Sequence, residues 1–403
     1  MLQEKFWCDI LYEIGEIMYV LEKEYDVLVV GGGIAGIASA LSAKRENKSV
    51  CIIEKSVVLG GLATLGLVNW FEPLCDGTGE QLIYGITEEL LKLAIKDGFN
   101  DLDEKWINKE KVSIEDKRYA THFSPTLYSV YLNKLLFDEG IFVRYDSLAT
   151  YPVMEGNLIK GVEVETVSGK EFYKAKVVID ATGNATIFHR AGAECKTGLN
   201  YLSYLSYITD FSQPIEKREQ TRKWIYSGGN MVGRGQPEDV PLLKGDSSDD
   251  VNIMINRGQR ILFGKMQDLK NSEIINLTGM PQFRMIRHMV GEYELTGEDI
   301  YKEFEDSVGV IGNFLKREEW YEIPFRALYN KDYPNLLPAG RIISAEGKAW
   351  DVTRVIPVCT LTGEVAGIVA SMMIDENIEV KDISVKKLQE NLTKRGIKLY
   401  KNR

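Results

Sequence analysis

Residues 25–36 read Tyr-Asp-Val-Leu-Val-Val-Gly-Gly-Gly-Ile-Ala-Gly, and this stretch decides the fold. Its first half is a compact apolar run with glycine directly after it, the pattern of a strand buried on both faces of a parallel sheet. Alanine-rich sequence over Ile34–Arg45 predicts a helix, and Ser49–Glu54 predicts a second buried strand. The unit is therefore β-α-β, with Gly31, Gly33 and Gly36 forming G-x-G-x-x-G at the strand-to-helix junction. Gly31 permits the tight turn, Gly33 lets the backbone approach a pyrophosphate, and Gly36 lets the helix pack against the strand. The helix start, including Ile34 and Ala35, presents free N–H groups and a positive dipole end to the phosphates. Glu54 ends the next strand, where its carboxylate accepts hydrogen bonds from both ribose hydroxyls. The same carboxylate repels a 2′-phosphate, which disfavours an NADP-type ligand. The motif alone accommodates NAD or FAD.

Three further segments point to a flavin. After Glu54 and Lys55 comes Leu59-Gly60-Gly61-Leu62-Ala63-Thr64, a glycine pair that lets the backbone run close to a long ligand. Val177-Val178-Ile179-Asp180-Ala181-Thr182-Gly183 places an Ala-Thr-Gly turn after another buried strand. Asn335-Leu336-Leu337-Pro338-Ala339-Gly340-Arg341 leads to Arg354-Val355-Ile356-Pro357 and an expected helix over Thr360–Ile374, whose N-terminus aims back at the site.

On these residues the chain resembles the FAD-dependent oxidoreductases of the glutathione-reductase structural superfamily. Within it, the nearest resemblance is to the group related to the flavoprotein component of heterodisulfide reductase. Tyr321–Leu328, Arg354–Cys359 with Gly363–Gly367, and Arg284–Thr296 carry that finer likeness. The resemblance covers about residues 25–95, 140–195 and 280–375, and leaves 196–280 without a match. It implies FAD as cofactor. Gly31, Gly33 and Gly36 then take the pyrophosphate and Glu54 the adenosine ribose. Gly60, Gly61, Ala63 and Thr64 line the phosphate and flavin side, and Ala149 contacts adenine through its backbone. Thr182 and Gly183 pack under the cofactor, Gly340 and Arg341 reach the ribityl–pyrophosphate region, and Ile356 sits near the isoalloxazine. Lys55 and Ala181 complete the expected cofactor set. Many superfamily relatives carry Gly-Asp where this chain has Gly340-Arg341. No C-x-x-C exists, so disulfide-reductase chemistry and a heterodisulfide-type iron–sulfur insertion are not expected.

The fold class expected is α/β: a Rossmann-like FAD-binding domain, its parallel sheet carrying an antiparallel insertion, plus a second mixed α+β substrate domain. FAD-binding segments are assigned to 25–100, 141–195 and 331–380. Substrate or cap segments take 101–140 and 196–330, with an N-terminal extension over 1–24 and a C-terminal tail over 381–403. The extension reads as a short amphipathic helix (Phe6, Ile10, Leu11, Ile14, Ile17, Met18) or as sequence upstream of a start at Met18. Helices are also expected over Thr87–Lys96, Leu127–Glu139 and Gly297–Phe314. Strands are expected over Ile141–Tyr145, Leu158–Thr166, Glu171–Tyr173 and Lys176–Asp180.

With 49 basic and 59 acidic residues the net charge is −10, which disfavours a nucleic-acid partner. Five cysteines without metal-type spacing suit a reducing compartment, and the cytoplasm is expected. The apolar stretch near Ile356–Ile374 carries Thr360, Thr362 and Glu364, so no membrane span is expected; nor is a metal site. The expected function is hydride exchange between bound flavin and a small organic substrate, with oxygen, a quinone or a protein as electron acceptor. The alternatives are a flavin monooxygenase-like or halogenase-like enzyme and an FAD-binding electron-transfer component of a larger complex. Arg341, Arg354 and Arg326 are candidates to stabilise anionic reduced flavin, with structural ion pairing as the alternative for each. His122 is a candidate acid or base. His189 is expected as a packed helix residue, and Arg284 and Arg287 on one helix face, where they either clamp a carboxylate or pair at the surface. Cys75 is expected to be a structural thiol, and Cys359 to sit at the start of the last helix. Trp70, Phe71 and Trp350 either wall a substrate cavity or pack in the core.

Overall fold

The computed structural model describes residues 21–212, 222–230 and 232–402; the reading of residues 1–20 lies outside them. A seven-stranded sheet forms the centre. Five of its strands run parallel, in the order Phe142–Arg144, Val50–Ile53, Leu21–Val30, Gly169–Asp180 and Leu336–Pro338. Along the edge away from Leu21–Val30, strand Gly169–Asp180 serves two further partners. Its first half pairs antiparallel with Leu158–Thr166, and its last three residues pair parallel with Leu336–Pro338. The antiparallel insertion is thus welded to the parallel core through one continuous strand. The expected break between residues 173 and 176 does not occur, and Leu148–Glu155 adds an edge strand beyond Leu158–Thr166. Residues 21–24, assigned to the N-terminal extension, extend the first strand and pair with Glu171–Lys174.

Two helices pack on the sheet face to face. Helix Ile34–Arg45 buries ten consecutive residues, Ile34–Ala43. The second, Ile356–Glu376, is apolar and long enough to cross a membrane, yet it is the core helix, almost wholly enclosed by the fold. The two cross closely: a Cβ at Gly363 would lie 2.2 Å from the carbonyl oxygen of Ala35, and the Ser42 hydroxyl donates to the Glu364 carbonyl at 2.9 Å. Larger residues at this crossing would separate the helices and open the core.

The cap region is built differently. A three-stranded antiparallel sheet, Arg222–Gly228, Ser203–Asp210 and Ser272–Asn276, is backed by helix Ser248–Asp268. Ser247 caps that helix, accepting from the Asp250 N–H at 3.1 Å, and Met254, Gly258 and Leu262 form its buried stripe. At Gly258 the helix nearly touches the sheet, because a Cβ there would meet Tyr204 Cβ at 2.4 Å. Gly297–Phe314 departs from the expected helix. It holds one short turn at Gly297–Asp299 and then a buried strand, Ser307–Gly312, rich in β-branched residues.

Candidate functional site

Three chain segments meet at the ends of the parallel strands. The Gly31 N–H donates to Ile53 O, the Ala181 N–H to Val30 O and the Ala339 N–H to Asp180 O, all within 2.8–2.9 Å. Gly31 turns at φ +110°, and a Cβ there would lie 2.5 Å from Ala181 O. Gly36 is tighter still, with a Cβ 1.9 Å from Gly31 O. Gly33 is the opposite case. Nothing lies within 4 Å of a Cβ built on it, so the space over the helix start is open. The first helical bond runs from Ile37 N–H to Gly33 O, and among the described residues the N–H groups of Ala35 and Gly36 have no backbone acceptor. An open concavity with free N–H donors at a positive helix end fits a pyrophosphate.

The other expected cofactor residues surround this cradle. The Gly60 N–H donates to Gly32 O at 2.8 Å, and a Cβ on Gly61 would come within 3.2 Å of Gly33 Cα. Ala63 and Thr64 are buried beside them, the Thr64 hydroxyl donating to Leu59 O at 2.5 Å. Glu54 accepts from the N–H groups of Gly32 and Ser56, at 2.7 and 2.8 Å, so its carboxylate is already oriented. Lys55 beside it is exposed. Ala149 is buried on an edge strand and its carbonyl accepts from Arg190 at 3.3 Å. Gly340 meets the cradle helix, with a Cβ 2.7 Å from Ala35 Cβ.

Asp180 explains the Ala-Thr-Gly turn. Its buried carboxylate accepts from the Thr182 N–H and hydroxyl and from the N–H groups of Ile187 and Phe188, at 2.7–3.1 Å. Arg341, one residue past the third motif, is buried and spends its guanidinium on carbonyls. It donates to Gly183 O, to Phe283 O at 2.6 Å and to Arg284 O at 3.4 Å. Burial pushes it down to about 10. Arg341 thereby ties the second FAD-side turn to the loop that leads out of the cap.

Beyond the cradle, a second set of side chains converges. Strands Trp70–Phe71 and Thr121–His122 pair, with Trp70 opposite His122. The His122 ring nitrogen Nδ1 lies 2.8 Å from Asp101, whose other oxygen accepts the His122 main-chain N–H at 2.6 Å. Burial alone would raise the Asp101 carboxyl; the hydrogen bonds from His122 outweigh it and hold the acid at about 2. The His122 ring stacks on Trp70 and meets Trp224 of the cap sheet edge-on, 4.9 Å between centroids. Glu72 follows Phe71 and is buried, accepting the Ile356 N–H at 3.1 Å at the start of the core helix. Burial pushes Glu72 up to about 7, against the pull of that N–H and of Arg354 and Arg284. Arg354 pairs with Asp351 at 2.8 Å.

Several expectations are corrected. Arg326 does not join this group: it pairs with Asp306 at 2.9 Å, in a 400 Å³ surface cavity lined by Glu305, Tyr329, Lys381 and Ile383. Arg284 lies in an irregular segment and Arg287 in a short strand, so the two share no helix face. His189 is on a helix but exposed. Cys359 lies one turn inside the core helix rather than at its start, donating to Arg354 O at 3.3 Å, and burial pushes its thiol up to about 12. Of the two alternatives for Phe71 and Trp350 the structure shows core packing, with the Trp350 indole N–H on Arg341 O at 2.7 Å. Glu72, Asp101, Trp224 and Tyr226 carry no motif. The one readable signal was the Trp70-Phe71-Glu72 alternation, which puts Trp70 and Glu72 on one strand face.

A glycine cradle at a topological junction of a parallel sheet, joined by two further cofactor-side turns, defines a dinucleotide-binding flavoprotein. The chain belongs to the FAD dependent oxidoreductase family, whose model matches residues 26–224 and 205–392; FAD is that family's cofactor. It is 27% identical over 240 residues to a digeranylgeranylglycerophospholipid reductase of Methanoculleus marisnigri, covering 53% of this chain and 55% of that protein. It is also 27% identical over 191 residues to a dihydrolipoyl dehydrogenase of Acholeplasma laidlawii, covering 36% of this chain and 57% of that protein. The chain thus spans about half the length of these curated relatives. The crystal structure of p-nitrophenol 4-monooxygenase from Pseudomonas putida shares the fold, with a TM-score of 0.51, 14% identity, and coverage of 93% of this chain and 84% of that one.

Proposed function

We propose that the chain exchanges a hydride between bound FAD and a small organic substrate held between the cradle and the cap sheet. The observation that carries this is the open Gly33 beside unpaired helix N–H groups, with His122, Glu72 and Arg284 grouped at the neighbouring core-helix start and cap face. When bound, the flavin supplies the two-electron chemistry. The chain's own residues hold the proton and the substrate. Asp101 orients His122 through Nδ1, which leaves Nε2 to give or take a proton. Glu72, poised near neutrality, is a second proton-holding group. Trp70, Trp224 and Tyr226 exclude water from one side.

Within the family we place the chain in the group related to the heterodisulfide reductase flavoprotein, on the segments 284–296, 321–328 and 354–367. The electron acceptor is oxygen, a quinone or a protein. Among the described residues the four cysteines have no disulfide partner, which supports a cytoplasmic setting.

The test is a visible spectrum of purified protein, acid precipitation, and anaerobic mixing with candidate substrates. Flavin bands, release of FAD, and bleaching by an organic compound are expected. A colourless protein that takes up no added FAD overturns the reading. A flavin reduced only by a protein partner makes the chain an electron-transfer component instead.

A further inference from the structure

Arg284 stands apart from the other arginines of the site. Arg341 gives both Nε and Nη1 to carbonyl oxygens and Arg354 is paired with Asp351. Among the described residues Arg284 pairs with no carboxylate, and its one hydrogen bond from the side chain is Nη1 to Gln282 O at 2.9 Å. Nε and Nη2 have no partner among the described residues. Its electrostatic neighbours are Arg354 and Arg341, which repel it, and Tyr226 and Glu72, which attract it. The local count is three guanidinium groups against Glu72 and Asp351, a positive excess in a chain of net charge −10. A partly buried positive charge without a carboxylate partner is costly unless an anion joins it.

The group is also held rigidly. Asn200 Oδ1 accepts the main-chain N–H groups of Arg284 and Met285, at 2.7 and 2.9 Å, and Arg341 donates to the Arg284 carbonyl. Gln282, two residues earlier, bonds both Gly66 O and the Leu205 N–H. A cation fixed by the FAD-side turn and by the cap sheet is preorganised for a ligand lying between them.

The surroundings add an apolar sleeve. On the cap strand Arg222–Gly228, Trp224 and Tyr226 alternate with the buried Ile225 and share a face. Trp224 meets His122, which stacks on Trp70. Among the described residues the buried Trp224 indole N–H has no acceptor, a second unused donor on that face.

We infer that the substrate is an organic carboxylate, its anionic head held by Arg284 and its apolar body laid against Trp70, Trp224 and Tyr226. This rests on the oxidoreductase reading above and names the substrate class for that site. The planar guanidinium meets a carboxylate through two N–H groups in parallel. Glu72 attracts Arg284 but forms no ion pair or hydrogen bond with it among the described residues; its carboxylate accepts the Ile356 N–H and is drawn first to Arg354 and then to Arg284.

The experiment compares benzoate with benzamide, near-isosteric probes that differ in charge, on FAD-loaded protein. Binding is read by calorimetry and by perturbation of the flavin bands. Benzoate is expected to bind at least about tenfold tighter than benzamide, the scale of one charge-assisted pair. Arg284→Gln is expected to abolish that preference while keeping one FAD per chain, and Arg284→Lys to restore part of it. Equal binding of the two probes by the wild type, or no binding of benzoate, overturns the proposal without needing any variant. So does an Arg284→Gln protein that keeps the benzoate preference. So does one that loses FAD with the preference intact, which assigns Arg284 to the cofactor. Failure of the oxidoreductase reading is separate: it shows as a flavin that no compound reduces or reoxidises, whatever the probes do.

Discussion

The nucleotide-binding core and the cap sheet are held together by different means. In the core, backbone meets backbone. Gly36 sits over Gly31 O, Gly363 over Ala35 O, and Gly340 against Ala35, so small residues are required by contact. In the cap, side chains do the work: Trp224 on His122, Tyr204 under Gly258, Gln282 bridging Leu205 and Gly66. A region specified by close backbone approach tolerates almost no change at a few positions. One specified by side-chain packing tolerates moderate change at many.

The sharpest way to break this contrast is a pair of alanines in the cradle. Gly36→Ala puts a methyl carbon 1.9 Å from Gly31 O and should destabilise the chain by about 3 kcal/mol or more, with loss of FAD. Gly33→Ala has open space and φ −71°, so the apoprotein should stay within about 0.5 kcal/mol of wild type while FAD binding weakens. Chemical denaturation and flavin stoichiometry check both. Equal destabilisation by the two would remove the distinction between the packed and the open glycine.

Glu72 sharpens the comparison at the seam. Its carboxyl is raised in the fold, to about 7 from 4.5, by burial. A raised acid binds more protons folded than unfolded, so its contribution is full below the unfolded value and lost as pH rises through the folded one. Wild type should therefore lose about 1–3 kcal/mol relative to Glu72→Gln between about pH 4.5 and 7. Parallel denaturation curves across that range would show that Glu72 does not titrate there. Glu364, similarly raised to about 7 by burial, contributes equally to both proteins and cancels.

A smaller effect is expected at Asp101. Asp101→Asn keeps a hydrogen-bonding partner for His122 but removes the carboxylate that accepts from both its ring and its main chain and so fixes the ring's orientation. The rate of flavin reduction should fall about tenfold or more, with FAD content unchanged. An unchanged rate removes His122 from proton transfer. Smallest is Trp224→Phe in the cap. The indole N–H has no partner to lose among the described residues, so stability should change by less than about 1 kcal/mol, and the effect should appear in KM rather than in melting temperature. A large drop in melting temperature would show that the cap face is structural.

The cradle was legible because it is local. Its strand, turn, helix and acid follow one another within residues 25–54, and Gly36 is required by a contact with Gly31 O five residues away, although Gly31 itself meets Ala181 just after a distant strand. The helix Ile34–Arg45 runs between the residues expected from the pattern. The Ala-Thr-Gly and Gly340-Arg341 turns carry the same kind of signal. The cap was legible only as a change in composition. Helix Ser248–Asp268 has Asn252, Asn256 and Gly258 within it, which weaken any helical pattern, and its glycine is explained only by Tyr204 on a distant strand. Gly297–Phe314 misled in the other direction, because a buried strand and a short apolar helix look alike without their neighbours.

The sequence by itself determined that this chain folds around a dinucleotide, since that feature rests on backbone geometry encoded by consecutive residues, while the flavin was read from the glycine pair, the Ala-Thr-Gly and Gly340-Arg341 segments and the resemblance they carry. Only the tertiary structure decided which side chains group on the proposed substrate side. Glu72, Asp101, Trp224 and Arg284 come from four separate segments, and their chemistry arises from burial and from one another. Burial sets the Glu72 proton, and carbonyls from distant loops occupy Arg341. The open N–H groups of Arg284 follow from the carboxylates that the fold places elsewhere. Such properties belong to the assembled site and to no single stretch of chain.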